Sequence, residues 1–321
     1  RRRTERLLAT AEAMARRVEH PYAVGMVTLA KGVSAYLEGR WAVAQARCDE
    51  AEATFRDRCT GVSWERNTAD AFSLWALSHQ GETGELTRRW PILLAQALDR
   101  GDLYAAMNLS SYLMSVVRLA ADEPARARAE LAATNARWSR RGYHVQHNDA
   151  LWAAVQIELY DGRGREAWRL LEASWPALRR SLLLRVQFVR TSMKFLRARA
   201  AIAAAIETGD TSERHRLLAV AAADARALAR EGMPCPDAYA RMIRASLAAI
   251  EGRDEEAALL WREAVAAFEA VDMNLCAAAS RRRLGEALGG DAGAAAVVES
   301  ESWMRGQLVR EPSKAARMVI P

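Results

Sequence analysis

Read for chemistry, the 321-residue sequence offers few constellations. His144, His147, Asn148 and Asp149 cluster at the predicted start of a helix. Histidines three positions apart share a helix face and could offer two nitrogen ligands to a metal. A metal site needs further ligands, and spacing fixes no third. The same residues serve as helix-capping and exposed polar groups. Arg281, Arg282 and Arg283 lie within a predicted helix. Three consecutive positions span most of a turn, so at least one faces inward or covers a neighbour, and a phosphate or an acidic partner is the contact they suit. His144, His147, Arg281, Arg282 and Arg283 are therefore the partner-binding candidates. The pairs Arg16-Arg17, Arg140-Arg141 and Arg179-Arg180 fall in the last turns of predicted helices. Cations there complement the helix dipole by ~0.3–1 kcal/mol each. The four cysteines, Cys48, Cys59, Cys235 and Cys276, form no C-x-x-C pair, which argues against zinc or dithiol redox chemistry and for buried, reduced thiols. No Walker sequence, no G-x-G-x-x-G after a strand, no H-E-x-x-H, no G-x-S-x-G, no H-R-D and no D-F-G occurs. No residue of this segment is expected to be catalytic, cofactor-binding or metal-ligating.

The elements that must position these residues show in an internal repeat. One series of breakers falls at Gly39, Gly81, Asp122, Gly162, Gly209, Gly252 and Gly290, a second at Pro21, Gly61, Gly101, Gly142, Ser181, Gly232 and Asp272. The two interleave with a period of about 41 residues. Each unit reads as helix, turn, helix, turn, and glycine suits such turns because helices often close on a residue at positive φ. The segments beginning Glu38-Gly39-Arg40, Asp161-Gly162-Arg163 and Glu251-Gly252-Arg253 share one chemistry: an acidic helix end, a glycine turn, a polar start, then an alanine at 42, 167 and 257. That small alanine lets helices approach closely. Apolar residues recur at three- and four-residue steps, as in Leu260, Trp261, Val265, Phe268 and Val271. No Asn-Gly hairpin turn and no sustained alternation marks a strand.

The expected fold is all-α: a right-handed superhelical array of antiparallel helix pairs, a tetratricopeptide-like solenoid. Pairs fall near 2–38, 40–80, 83–121, 123–161, 163–208, 210–251 and 253–289, so the array covers 1–290 and shorter capping helices follow over 291–321. Leu182–Thr208 reads as one extended helix. Trp41, Trp90, Trp138, Trp168, Trp175 and Trp261 fall in the first helices of pairs, Trp64, Trp75 and Trp152 in the second, and Trp303 in the cap. Packing is their default role, and a few could line a peptide groove.

Apolar residues make up 51% and charged residues 27%, a soluble globular composition. The net charge of +6 is spread along the chain and permits an acidic partner without demanding one. No stretch approaches the roughly 20 apolar residues that span a bilayer. No signal peptide is visible, and the cysteine usage suits a cytoplasmic protein. The opening Arg1-Arg2-Arg3 has mid-helix character and lacks an initiator Met, as in a fragment of a longer protein.

Particular segments carry a resemblance. Phe55-Arg56-Asp57-Arg58-Cys59-Thr60-Gly61-Val62-Ser63-Trp64-Glu65 resembles a signature in the C-terminal region of large bacterial, myxobacterial-type, multidomain regulators. So do Arg100–Ala105, Ser181–Gln187 and Ala277–Glu286, and the ending with Trp303-Met304, Pro312 and Arg317-Met318. The similarity runs from about residue 41 to the end. In that family a serine/threonine kinase domain precedes a signalling ATPase domain and a tetratricopeptide-like array. The resemblance implies a sensor array that binds a protein or peptide, with the parent's own ATPase domain as one such partner, and that restrains the ATPase. ATP and Mg would belong to the parent's upstream domains; no cofactor is expected in this segment, and no catalytic residue carries over. The alternatives are a stand-alone scaffold, a transcription-regulator sensor repeat, and a nucleic-acid-binding helical repeat. The last needs a pair of side chains recurring at fixed repeat positions, and none recurs. We therefore expect no salt-dependent shift of single-stranded RNA in a gel; a shift at low salt revives the nucleic-acid alternative.

Overall fold

The structure, a computed structural model, describes residues 2–137 and 142–321. Arg1, Trp138 and the Arg140-Arg141 pair lie outside the described residues. The described residues form seventeen α-helices and no strand. They divide into two compact units, residues 1–109 and 110–321. The first holds α1 (Arg2–Val18), α2 (Pro21–Leu37), α3 (Trp41–Arg58), α4 (Ser63–Gln80), α5 (Thr83–Asp99) and α6 (Leu103–Leu109). The second holds α7 (Tyr112–Ala120), α8 (Pro124–Ala136), α9 (Val145–Tyr160), α10 (Gly164–Arg180), α11 (Gln187–Glu207) and α12 (Thr211–Ala229). It continues through α13 (Pro234–Ile250), α14 (Asp254–Glu269), α15 (Asn274–Leu288), α16 (Gly290–Gly306) and α17 (Pro312–Val319).

Within each unit helices pack consecutively, the pattern of a helical repeat solenoid. The turn residues singled out in the sequence do the turning. Gly39, Gly61, Gly81, Gly101, Gly142, Gly162, Gly232, Gly252 and Gly290 have positive φ. Asp122 (φ +54°) and Asp272 (φ +57°) take the same left-handed conformation in the glycine's place. Gly209 and Ser181 do not; the turns there are extended. Eight ends close alike. The amide two positions past the last helical turn bonds back to a carbonyl five residues earlier: Arg40 to Ala35, Glu82 to Leu77, Asp102 to Ala97, Glu123 to Arg118, Arg163 to Glu158, Arg253 to Ala248, Met273 to Phe268 and Val309 to Met304. This closure satisfies carbonyls that would otherwise be left without partners at a helix end.

The second helix of each pair packs on the second helix of the next. Thus α2, α4 and α6 form one row, and α7, α9, α11 and α13 another. Burial follows. Fourteen of the 21 residues of α11 are buried, against five of 19 in α12. That is why α11 carries the small-residue run Ala198-Arg199-Ala200-Ala201-Ile202-Ala203-Ala204-Ala205, since neighbours press on it from several sides. Trp41, Trp90, Trp168 and Trp261 are buried, as expected of packing residues, whereas Trp64 is 56% exposed. Close approach depends on glycine where no side chain fits. A Cβ on Gly25 would lie 2.6 Å from the Phe55 ring, and one on Gly32 would lie 2.5 Å from Cys48 Sγ.

Three details depart from the sequence reading. The long helix begins at Gln187 and not at Leu182: residues 183–185 form a 3₁₀ turn. Leu182 and Val186 are exposed, so no burial rewards a helix there. The Arg190 guanidinium collects Leu184 O at 3.1 Å and bonds Glu231, which fixes the turn. The second helix of the third pair breaks at Ser110-Ser111. There the Trp90 indole N–H takes Leu109 O at 2.7 Å, and the chain divides into its two units at the same point. Finally, α17 does not simply stack as the next layer; it returns to α9 and α15.

Gly164 tests the packing. An added Cβ would lie 2.4 Å from the backbone carbon of Ala203, so Gly164→Ala forces α10 off α11. Gly209 faces open space. We expect Gly164→Ala to lower stability in urea by about 1–3 kcal/mol and Gly209→Ala to change it little; equal effects would mean the α10–α11 approach is not tight.

Candidate functional site

The residues singled out in the sequence are held in internal bonds. His144 N–H donates to His147 Nδ1 at 3.1 Å at the start of α9, and the two rings lie 5.6 Å apart. Tyr143 stacks on His147 at the same separation. Next to them Asn148 is buried, and burial pushes the Asp149 carboxyl up to about 7. Among the described residues no group of three or more His, Cys, Asp or Glu side chains is placed to hold a metal. In α15, Arg281 pairs with Glu269 and, at 3.5 Å, with Glu299. Arg282 pairs with Glu286 at 3.0 Å and with Glu301. Arg283 pairs with Glu286 at 2.8 Å and donates to Ile320 O at 2.7 Å. Two of the three thus tie α15 to α14 and α16; the third reaches the chain's last residues.

That last contact leads to a polar arrangement within residues 110–321, the seat of α17. Pro312 opens this helix, where its missing N–H costs nothing. Ala315, Ala316, Met318, Val319 and Ile320 are buried on the array. Its cationic flank meets the C-terminal ends of α7 and α9. Lys314 Nζ lies 2.8 Å from Asp122 Oδ1, and the Tyr160 hydroxyl donates to the same oxygen at 2.9 Å. Arg317 donates to Tyr160 O at 3.0 Å and covers Gly162. Arg310 N–H donates to Ala120 O at 2.9 Å. Cations and N–H donors at helix C-termini complement the partial negative charge there. The Lys314 hydrogen bond, helped by that of Tyr160, holds the Asp122 carboxyl below its ordinary range against the opposing effect of burial.

The other end of α17 reverses this polarity. Its terminal carbonyls are read by two arginines: Arg283 takes Ile320 O, and Arg199 takes Met318 O. Arg199 is only 2% exposed. It also donates to Gln156 Oε1 at 3.4 Å and lies 5.0 Å over the Phe195 ring. Its Nε has no acceptor. Burial pulls its pKa down to about 10, with Cys276, Tyr239 and Tyr112 opposing slightly, and the guanidinium stays charged at neutral pH. Sequence reasoning missed this residue, although a signal existed. Arg199 falls three or four positions from Phe195, Leu196, Ile202 and Ala203, hence on an apolar helix face.

Residues 2–109 carry a separate small cleft between α4, α5 and α6, lined by Asn67, Asp70, Trp75, Arg100, Tyr104 and Asn108 among others. Asn67 ties Arg100 (3.0 Å) to Asp102 (2.5 Å). Beside it an aromatic group locks α2, α3 and α4 together. Trp41 stacks on His79 with ring centroids 4.2 Å apart, and the Tyr36 hydroxyl lies 3.2 Å from His79 Nε2. Burial pulls His79 down to about 3, so it is neutral at physiological pH. Asp70 is pushed up to about 7, chiefly by burial and then by Glu52, against Arg89 and Arg66.

The sign of that shift gives a test. The folded-state pKa of Asp70 lies above its unfolded value near 3.9, so the folded state binds the extra proton and this contribution to stability is lost as pH rises through about 7. Asp70→Asn should therefore stabilise the protein at pH 8, on the order of 1–3 kcal/mol, with the gain gone below about pH 4. Urea denaturation at the two pH values measures it; a variant less stable at pH 8 would show that the carboxylate has a compensating partner. No protein-family model, curated protein or solved structure matches the chain.

Proposed function

We propose that residues 1–321 are a regulatory protein-interaction array of a multidomain bacterial serine/threonine kinase–ATPase signalling protein, and that this segment binds rather than catalyses. The observation that supports binding is the seat of α17: a row of second helices takes up a helical segment through side-chain bonds to main-chain carbonyls. Helix-in-row docking of this kind is the physics of helical peptide recognition. The kinase–ATPase assignment rests on the resembling segments, Phe55–Glu65 foremost. In this reading ATP and Mg are bound by upstream domains, and the array restrains the ATPase. Much of the cationic surface is already neutralised by Arg118–Glu130, Arg190–Glu231, Arg197–Asp224 and similar pairs, which favours a protein partner over nucleic acid.

Two measurements test the proposal. The reading frame upstream of Arg1 should encode a kinase and a P-loop domain; if it encodes neither, the array is a stand-alone scaffold. In the intact polypeptide, deleting residues 1–321 should raise basal ATP hydrolysis several-fold. Unchanged turnover with an intact nucleotide site would remove the restraining role.

A further inference from the structure

We propose that the seat of α17 is a binding groove for a helical peptide from a partner protein that presents a carboxylate to Arg199, with α17, which offers no carboxylate there, as its resident. The proposal deepens the protein-interaction reading and rests on it. Three observations carry it.

First, Arg199 is mismatched to what now occupies it. A guanidinium with five donors, 2% exposed, meets a main-chain carbonyl and an amide oxygen, and its Nε meets nothing. No carboxylate pairs with it among the described residues. Buried cations are ordinarily paired, and an arginine fork matches a carboxylate in two parallel bonds. Arg197, two positions away in the same helix, shows such a pairing: it grips Asp224 with Nε at 2.7 Å and Nη2 at 2.6 Å. Arg199 is the buried fork that a carboxylate would complete.

Second, the remaining contacts define the rest of the ligand. Asp122 and Ala120 O accept from Lys314 and the Arg310 amide at the start of the docked helix, and Tyr160 O accepts from Arg317 in its last turn. Arg283 and Arg199 donate near its end. The groove thus takes a helix with cations along one flank, an apolar buried face and an anionic end.

Third, the resident hangs from a turn that closes α16 without its help. Leu308, between α16 and α17, is 54% exposed and holds φ at +62°, a left-handed conformation disfavoured for leucine. Release of α17 leaves the Val309 to Met304 closure of α16 intact and lets water reach Arg199.

The test uses the full chain and a synthetic peptide of residues 306–318, which ends at Met318. As a free acid this peptide places a carboxylate where the chain has the Met318 carbonyl; as an amide it is the neutral control. By fluorescence anisotropy the acid should bind about tenfold tighter than the amide, the gain expected when a charge-assisted contact replaces a neutral one. Binding should raise hydrogen exchange of amides 312–320 in the chain, because the resident leaves. Lys314→Glu, a surface change that loosens the resident, should tighten acid binding further. Arg199→Lys should keep part of the preference for the acid and Arg199→Gln should abolish it, with circular dichroism confirming that each variant is folded. Equal binding of acid and amide to the Lys314→Glu chain overturns the proposal, as does binding that leaves 312–320 protected. Concentration-dependent doubling of mass in that variant also overturns it, by assigning the groove to a second copy's α17. None of these results depends on what lies upstream of Arg1, so the groove and the kinase–ATPase assignment can fail separately.

Discussion

The structure depends on one repeated hydrogen bond. At helix after helix an amide beyond a left-handed residue returns to a carbonyl five positions earlier. This bond ends the helix, satisfies its buried carbonyl and aims the chain into the next helix. Once direction is set at each turn, an amphipathic helix can bury its face only on its neighbour, and the rows follow. The requirement is conformational rather than chemical, which is why Asp122 and Asp272 serve where glycine is absent. Asparagine and aspartate tolerate the left-handed region better than most residues.

The same turns supply the functional surface. Asp122 is both a turn residue at positive φ and the carboxylate that anchors Lys314. Tyr160 ends α9 and offers its carbonyl to Arg317. Gly162 leaves room for that guanidinium. The helix ends of the array are therefore also its docking points, and the charge distribution of α17 mirrors the dipoles it meets. At its far end the match is poorer, with the Arg199 charge set against uncharged oxygens.

How much of this could be read from the sequence depends on range. Turns are local, so the glycine series marks nearly every helix boundary in the sequence itself. Gly209 and Ser181 show the limit: the residue type suited a left-handed turn, but the backbone is extended there. The break at Ser110-Ser111 was not legible because it involves the Trp90 indole, nineteen positions away, drawing off Leu109 O. The 3₁₀ turn over 183–185 likewise depends on Arg190 and Glu231. The candidate site lies further out of reach. Lys314 and Asp122 are 192 positions apart, and Arg199 and Met318 are 119 apart. Periodicity marked Arg199 as inward-facing but could not say what it faced. Arg283 was legible as a residue that must contact something; that it contacts Ile320 O was not.

The return of α17 also has a kinetic consequence. In a strict solenoid each layer touches only the next, so folding can begin anywhere and the ends fray independently. Bonds from 310, 314 and 317 to 120, 122 and 160 break that rule for residues 110–321. They close a loop of nearly two hundred residues, whose entropic cost is met only after the intervening layers have formed. Consolidation of this unit should therefore be late and cooperative, its last step being the arrival of a short helix that fastens the first layer to the last.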